Sequence, residues 1–76
     1  MRLHRETKGR GGKAVTLVKG VPLSPAELKS LAKDLKKHCG VGGAVRDVVI
    51  ELQGDQRENL KHVLEKRGYT VKIAGG

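Results

Sequence analysis

Ser24-Pro25-Ala26-Glu27-Leu28-Lys29-Ser30-Leu31-Ala32-Lys33-Asp34-Leu35-Lys36-Lys37-His38-Cys39-Gly40 reads as one complete helix. Ser24 with Glu27 three residues later is a capping box, and Pro25 suits the first helical position. Gly40 supplies the stop. Turned at about 100° per residue, Leu28, Leu31, Ala32, Leu35 and Cys39 fall within an arc of roughly 100°. Lys29, Lys33, Lys36 and Lys37 fill the adjoining arc, and Glu27 and Asp34 take the third side. The helix therefore buries one stripe and sets a basic stripe of a single sign beside it.

On the amino-terminal side, residues 1–8 are weakly strand-like. Lys8-Gly9-Arg10-Gly11-Gly12-Lys13 then places three glycines among bases, and Ala14-Val15-Thr16-Leu17-Val18 is a strand by composition. Two extended arms around a glycine-rich tip predict a hairpin with a long basic loop. On the carboxyl side, Gly40-Val41-Gly42-Gly43 is a loop, and Ala44 to Gln53 reads as one strand with Val48, Ile50 and Leu52 on one face. Gly54 breaks it. Asp55-Gln56-Arg57-Glu58 looks like a second capping box, and Leu60, Val63 and Leu64 give the helix that follows an apolar side. Gly68 ends that helix, and Tyr69 to Ala74 is a closing strand with Val71 and Ile73 alternating. The order β-β-α-β-α-β predicts an α+β fold, a two-layer sandwich with two helices on one face of a mixed sheet. The other sheet face is left for solvent or a partner.

Seventy-six residues suit a single domain, 1–76, near the lower limit for an unstapled core. One cysteine excludes a disulfide framework and a four-cysteine zinc site, and fits a reducing compartment. No apolar run approaches the 18 or so residues of a membrane span, and Met1-Arg2-Leu3-His4-Arg5 has no apolar signal core. The expectation is a soluble, cytoplasmic monomer without a membrane partner.

Sixteen Lys and Arg against eight Asp and Glu give a net charge of +8. The excess is uneven: residues 1–20 carry +5, 21–40 carry +2, 41–60 carry −2 and 61–76 carry +3. Such a small basic domain points to a polyanion, with nucleic acid foremost. The only aromatic residue is Tyr69, too little for the stacking platforms that single-strand binders use. A basic surface without stacking residues suits the backbone phosphates and shape of folded RNA.

Candidate contacts follow from charge. Arg10, Gly11, Gly12 and Lys13 can present backbone N–H groups and two cations to a phosphate. This is no nucleotide-binding P-loop, because the spacing is wrong and a strand, not a helix, follows. The bland alternatives are a floppy hairpin tip and a merely solvated lysine face. His4, His38 and His62 share no ligand-like spacing, and Asp47, Glu51 and Asp55 form no marked acid–base pair. Neither a metal site, a cofactor site nor a catalytic site is expected, and the chain does not read as an enzyme.

Three stretches carry a resemblance that covers nearly the whole chain in order. They are Gly9-Arg10-Gly11-Gly12-Lys13-Ala14-Val15-Thr16 with Gly20, Leu35-Lys36-Lys37-His38-Cys39-Gly40 with Gly42-Gly43, and Gln53-Gly54-Asp55-Gln56-Arg57. Together they resemble the translation initiation factor one family of eukaryotes and archaea, the suppressor-of-initiator fold. The ending Gly68-Tyr69-Thr70-Val71-Lys72-Ile73-Ala74-Gly75-Gly76 is similar to the short prokaryotic members. The resemblance implies binding to the small ribosomal subunit near the start codon and initiator tRNA, alongside other initiation factors, with a role in start-codon selection. It implies ribosomal-RNA contacts by Arg10, Gly11, Gly12 and Lys13 of the loop and by Lys33, Lys36 and Lys37 of the helix, with Arg57 beside them.

Two other readings compete. A chain ending in Gly75-Gly76 suggests a ubiquitin-like modifier or sulfur carrier, although pairing through Ala74 would leave only two residues free for an activating enzyme. The three histidines suggest a small RNA-cleaving enzyme, for which their scatter offers no support.

Overall fold

A computed structural model of the chain describes residues 1–8 and 12–74. Strand β1 (Arg2–Lys8) and strand β2 (Lys13–Lys19) form the expected antiparallel hairpin, in register from Arg2 opposite Lys19 to Lys8 opposite Lys13. Helix α1 (Pro25–Cys39) follows, with the capping box in place. The Ser24 hydroxyl oxygen accepts from the Glu27 N–H and the Glu27 carboxylate accepts from the Ser24 N–H, both at 3.3 Å. Gly40 ends the helix in the left-handed region at φ 65°, and its N–H bonds the Lys36 carbonyl.

The expected single strand Ala44–Gln53 is instead a hairpin. Strand β3 (Gly43–Arg46) turns back at Asp47 and Val48 into strand β4 (Val49–Gln53), pairing Gly43 with Leu52 and Arg46 with Val49. Asp47 and Val48 both have positive φ, 47° and 59°, which a type I′ turn requires. Val48 thus leaves the core face to which alternation assigned it and becomes an exposed large hydrophobic residue at the tip (59% exposed). Left-handed backbone is costly for a β-branched residue, so nothing local announces this turn.

Helix α2 (Arg57–Lys66) starts differently from the expected capping box. Gln56 occupies the cap without a side-chain cap bond, while the Asp55 carboxylate turns toward Arg57. Strand β5 is shorter than expected, Lys72–Ile73, and pairs parallel to β1 through Arg2–Lys72 and Leu3–Ile73. Backbone bonds from Lys72 N–H to the Met1 carbonyl and from Ala74 N–H to the Leu3 carbonyl extend that pairing. The order is therefore β-β-α-β-β-α-β, and the sheet runs β3-β4-β2-β1-β5. The α+β class and the mixed sheet stand as expected.

Both helices lie on one face. Leu3, Val18, Ile50 and Leu52 point from the sheet into one cluster with Leu28, Leu31, Ala32 and Leu35 of α1 and Leu60 and Leu64 of α2. Each fully buried Leu, Ile or Val adds about 1.5–3 kcal/mol relative to exposure. Gly43 lets β3 approach closely: a Cβ there would overlap the Glu51 carbonyl oxygen and lie 2.8 Å from Leu52 Cδ2. Among the described residues the opposite face carries no helix. On it stand Arg2, His4, Leu17, Lys19 and Glu51, because side chains alternate and their neighbours Leu3, Val18, Ile50 and Leu52 face the core.

Candidate nucleic-acid interface

The lysine stripe stands clear of the acids on its own helix. Lys29, Lys33 and Lys37 are exposed and Lys36 is half-buried. Glu27 is engaged in the capping box, and Asp34 accepts from the Arg67 guanidinium at 3.3 Å. No ion pair holds any of the four lysines among the described residues. Lys36, Lys37 and His38 also crowd the last turn, where the negative end of the helix dipole favours cations. Cys39 packs against the core beside them, and burial pushes its thiol pKa up, away from the reactive thiolate.

A buried threonine builds the second part. Thr16 is fully buried, and its hydroxyl donates to the Gly54 carbonyl (2.7 Å) while accepting from the Gln56 N–H (2.8 Å). One side chain of β2 thus clamps the corner between β4 and α2. At that corner Asp55 accepts two bonds from the Arg57 guanidinium, 2.9 Å from Nε and 3.1 Å from Nη2. Arg5 reaches the same carboxylate from β1 at 3.8 Å. The Arg57 bond, first among several causes, holds the Asp55 carboxyl below its ordinary range. Two guanidinium groups share one carboxylate, so one positive charge is left over.

Three backbone bonds chain these parts together. The Val41 N–H reaches the Lys36 carbonyl (3.2 Å), the Gln53 N–H the Gly42 carbonyl (2.9 Å), and the Gly54 N–H the Ala14 carbonyl (2.8 Å). The basic end of α1, the Arg57 corner and the base of the first hairpin therefore adjoin. Lys13, Ala14, Val15, Gln53 and Gly54 line a shallow groove at the junction. Of the loop candidates, Gly12 and Lys13 are exposed beside that groove, whereas Arg10 and Gly11 lie outside the described residues.

Sequence reasoning missed Arg5 and Thr16. Strand alternation through Leu3 could have set Arg5 on the helix side, but nothing in the sequence pairs it with Asp55. The three histidines fall on β1, the end of α1 and α2, and are not assembled. His4 Nε2 is buried without a hydrogen-bond partner among the described residues. Among those residues no group of three or more His, Cys, Asp or Glu could hold a metal ion, and no helix is long and apolar enough to cross a membrane. Gly75 and Gly76 lie outside the described residues.

A family model described as translation initiation factor SUI1 matches residues 1–70. The chain is 58% identical over 76 residues to the YciH protein of Escherichia coli, covering all of this chain and 70% of that protein. It is 47% identical over 64 residues to a protein translation factor SUI1 homolog of Methanocaldococcus jannaschii, covering 84% of this chain and 62% of that one. The corresponding homolog of Sulfurisphaera tokodaii is 48% identical over 62 residues, 82% of this chain and 62% of its own. These likenesses favour the translation-factor reading over the modifier or sulfur carrier.

Proposed function

The chain belongs to the translation initiation factor SUI1 family, and from that premise we propose that it binds the small ribosomal subunit near the start codon and initiator tRNA. There it tunes start-codon selection through contacts with ribosomal RNA. Arg10, Gly11, Gly12 and Lys13 take phosphates at the first hairpin, Lys33, Lys36 and Lys37 along α1, and Arg57 at the corner between them. Initiator tRNA and other initiation factors are its neighbours there. It works in the cytoplasm as a monomeric binding factor, without catalysis or cofactor.

The observation that carries this reading is the lysine stripe of α1, which has no acidic ion-pair partner among the described residues and adjoins the other two basic elements through backbone hydrogen bonds. Charges packed this way lower stability unless a polyanion neutralises them. Arg57 is a positioned donor in this scheme: Asp55 fixes its plane, and the surplus charge shared with Arg5 faces the ligand. With one aromatic side chain in the whole sequence, recognition rests on phosphate positions and RNA shape.

The test is co-sedimentation with separated ribosomal subunits, followed by salt titration of binding. Association with the small subunit is expected, and binding to the large subunit alone would end the reading. Each phosphate contact contributes roughly 0.7–0.9 to the slope of log affinity against log salt. Arg10→Ala with Lys13→Ala, and separately Lys36→Ala with Lys37→Ala, should each flatten the slope by about 1.4–1.8. An unstructured oligonucleotide should bind at least about tenfold more weakly than the subunit, a difference of about 1.4 kcal/mol.

A further inference from the structure

The helix-free face of the sheet holds a second basic feature, far from the first. Arg2 on β1 stands opposite Lys19 on β2 and opposite Lys72 on β5. All three point away from the helices, since Leu3, Val18 and Ile73 beside them pack on the core. Extending the β2–β4 register by one residue brings Lys19 beside Val49, whose partner on β3 is Arg46. A single row thus crosses the five strands as Lys72, Arg2, Lys19, Val49 and Arg46. With strands about 4.8 Å apart, the row spans roughly 19 Å.

Like charges directly opposite one another in a sheet are destabilising. Here three cations stand side by side, and no acid pairs with Arg2, Lys19 or Lys72 among the described residues. Arg2 and Lys72 are exposed and Lys19 is half-buried, so all three charges reach the surface. Arg46 is largely exposed and touches Glu51 only at 3.9 Å. The row sits at the opposite end of the first hairpin from Lys13, six residues along β2, or about 20 Å. It also lies across the sheet from α1. Lys13 shares the row's face by alternation, so the sheet separates the row from a segment held along α1 and not from the hairpin base.

We propose that the row Lys72–Arg2–Lys19, continued by Arg46, is a second phosphate-backbone site that grips a different RNA segment from the one held by α1. The domain is then fixed between two RNA segments, one on each side of the sheet. The chemistry of the row favours RNA over a protein partner. The one large apolar side chain near its centre on this face, Leu17, is itself buried between His4 and Glu51. Within the row the one apolar member, Val49, is half-buried and flanked by Lys19 and Arg46, too small an apolar centre for a protein interface. The proposal rests on the RNA-binding reading above but names residues that reading does not use.

The experiment compares Arg2→Gln/Lys19→Gln/Lys72→Gln with the control Lys61→Gln/Lys66→Gln, whose lysines lie on α2. Salt titrations are run against small subunits, a plain RNA duplex and polyglutamate. The row variant should flatten the slope for small subunits by about 2.1–2.7 and weaken binding at least about tenfold near 0.1 M salt. The control should change either quantity much less per charge removed. Combined with Lys36→Ala/Lys37→Ala, the losses should add, as they do for separate contacts. The row variant should melt at or above the parent temperature, since it relieves repulsion.

An equal loss per charge in row and control variants would reduce the row to a share of the overall field and overturn the proposal. So would a row effect on polyglutamate that is missing on RNA, which would assign the face to an acidic protein. If the parent protein bound no subunit, the proposed function would fail; a row effect on the duplex alone would still support the site. Binding to neither RNA would end both.

Discussion

Replacing Thr16 with Val tests whether one hydroxyl holds the corner that carries Arg57. The two side chains have nearly the same shape, so no cavity opens. What changes is that the Gly54 carbonyl and the Gln56 N–H lose their partner, at 2.7 and 2.8 Å respectively. A buried backbone group left unsatisfied costs about 1–3 kcal/mol. The added methyl returns something under about 1 kcal/mol. The net cost is therefore about 2–4 kcal/mol. A 76-residue domain has roughly 4–11 kcal/mol of stability in all, so the variant should lose a large share of it. At about 4–8 °C per kcal/mol for a domain of this size, melting should fall by roughly 8–32 °C. Thr16→Ser keeps the hydroxyl and deletes one methyl, at about 1 kcal/mol. Urea unfolding followed by circular dichroism gives the comparison, with the midpoint moving and the slope unchanged. A Val variant as stable as the Ser variant would refute the clamp and show that packing alone holds the corner.

Gly43→Ala should cost roughly 2–4 kcal/mol, because the new methyl displaces β3 from its ladder or forces buried Leu52 to repack; a melting temperature within a few degrees of the parent would contradict that. Val48→Asn should raise stability by about 0.5–1 kcal/mol, since Asn tolerates the left-handed turn position better than a β-branched residue; thermal melts decide the sign. Asp55 has a lowered carboxyl pKa in the folded state, chiefly from the Arg57 bond, so it adds stability above the unfolded aspartate pKa and loses it as pH falls through the folded value. The melting gap between parent and Asp55→Asn should therefore be present at neutral pH and close below about pH 4, and it should be small because the carboxylate is exposed. A gap that widened in acid would reverse the assigned sign. Arg57→Ala should flatten the salt slope of subunit binding by about 0.7–0.9, one phosphate contact, and an unchanged slope would leave Arg57 with an architectural role only.

What the sequence disclosed follows how local each signal is. Helix α1 was legible to the residue because its capping box, proline, apolar spacing and Gly40 all lie within its own 15 residues and the two caps that flank them. The turn at Asp47–Val48 was not, because turns of that type usually advertise themselves with Asn-Gly or Asp-Gly. A valine in the left-handed region is imposed by the pairing of β3 with β4 and by Gly43, not by local preference. Asp55 read as the cap of α2 with Glu58 as its partner, whereas Gln56 takes the cap and the Asp55 carboxylate turns to Arg57, with Arg5 arriving from β1 where no local signal could place it. The lysine stripe could be drawn on a helical wheel. The row Lys72–Arg2–Lys19 could not: its members come from three strands, and only the sheet order makes them neighbours.

The pairing of β1 with β5 also orders events in time. Leu3 and Ile73 are about 70 residues apart in the chain yet adjacent in the sheet, whereas the first hairpin and the β3–β4 hairpin close locally. Contacts of such long sequence separation form late, because the closure entropy must be met before they contribute. A two-residue strand held by few backbone bonds is also the first to open. Amide exchange should accordingly be faster at Lys72 and Ala74 than at Gln53 and Gly54. Opening β5 carries Lys72 away from Arg2, so an RNA strand lying across the row would act as a latch on the last piece of the sheet to close.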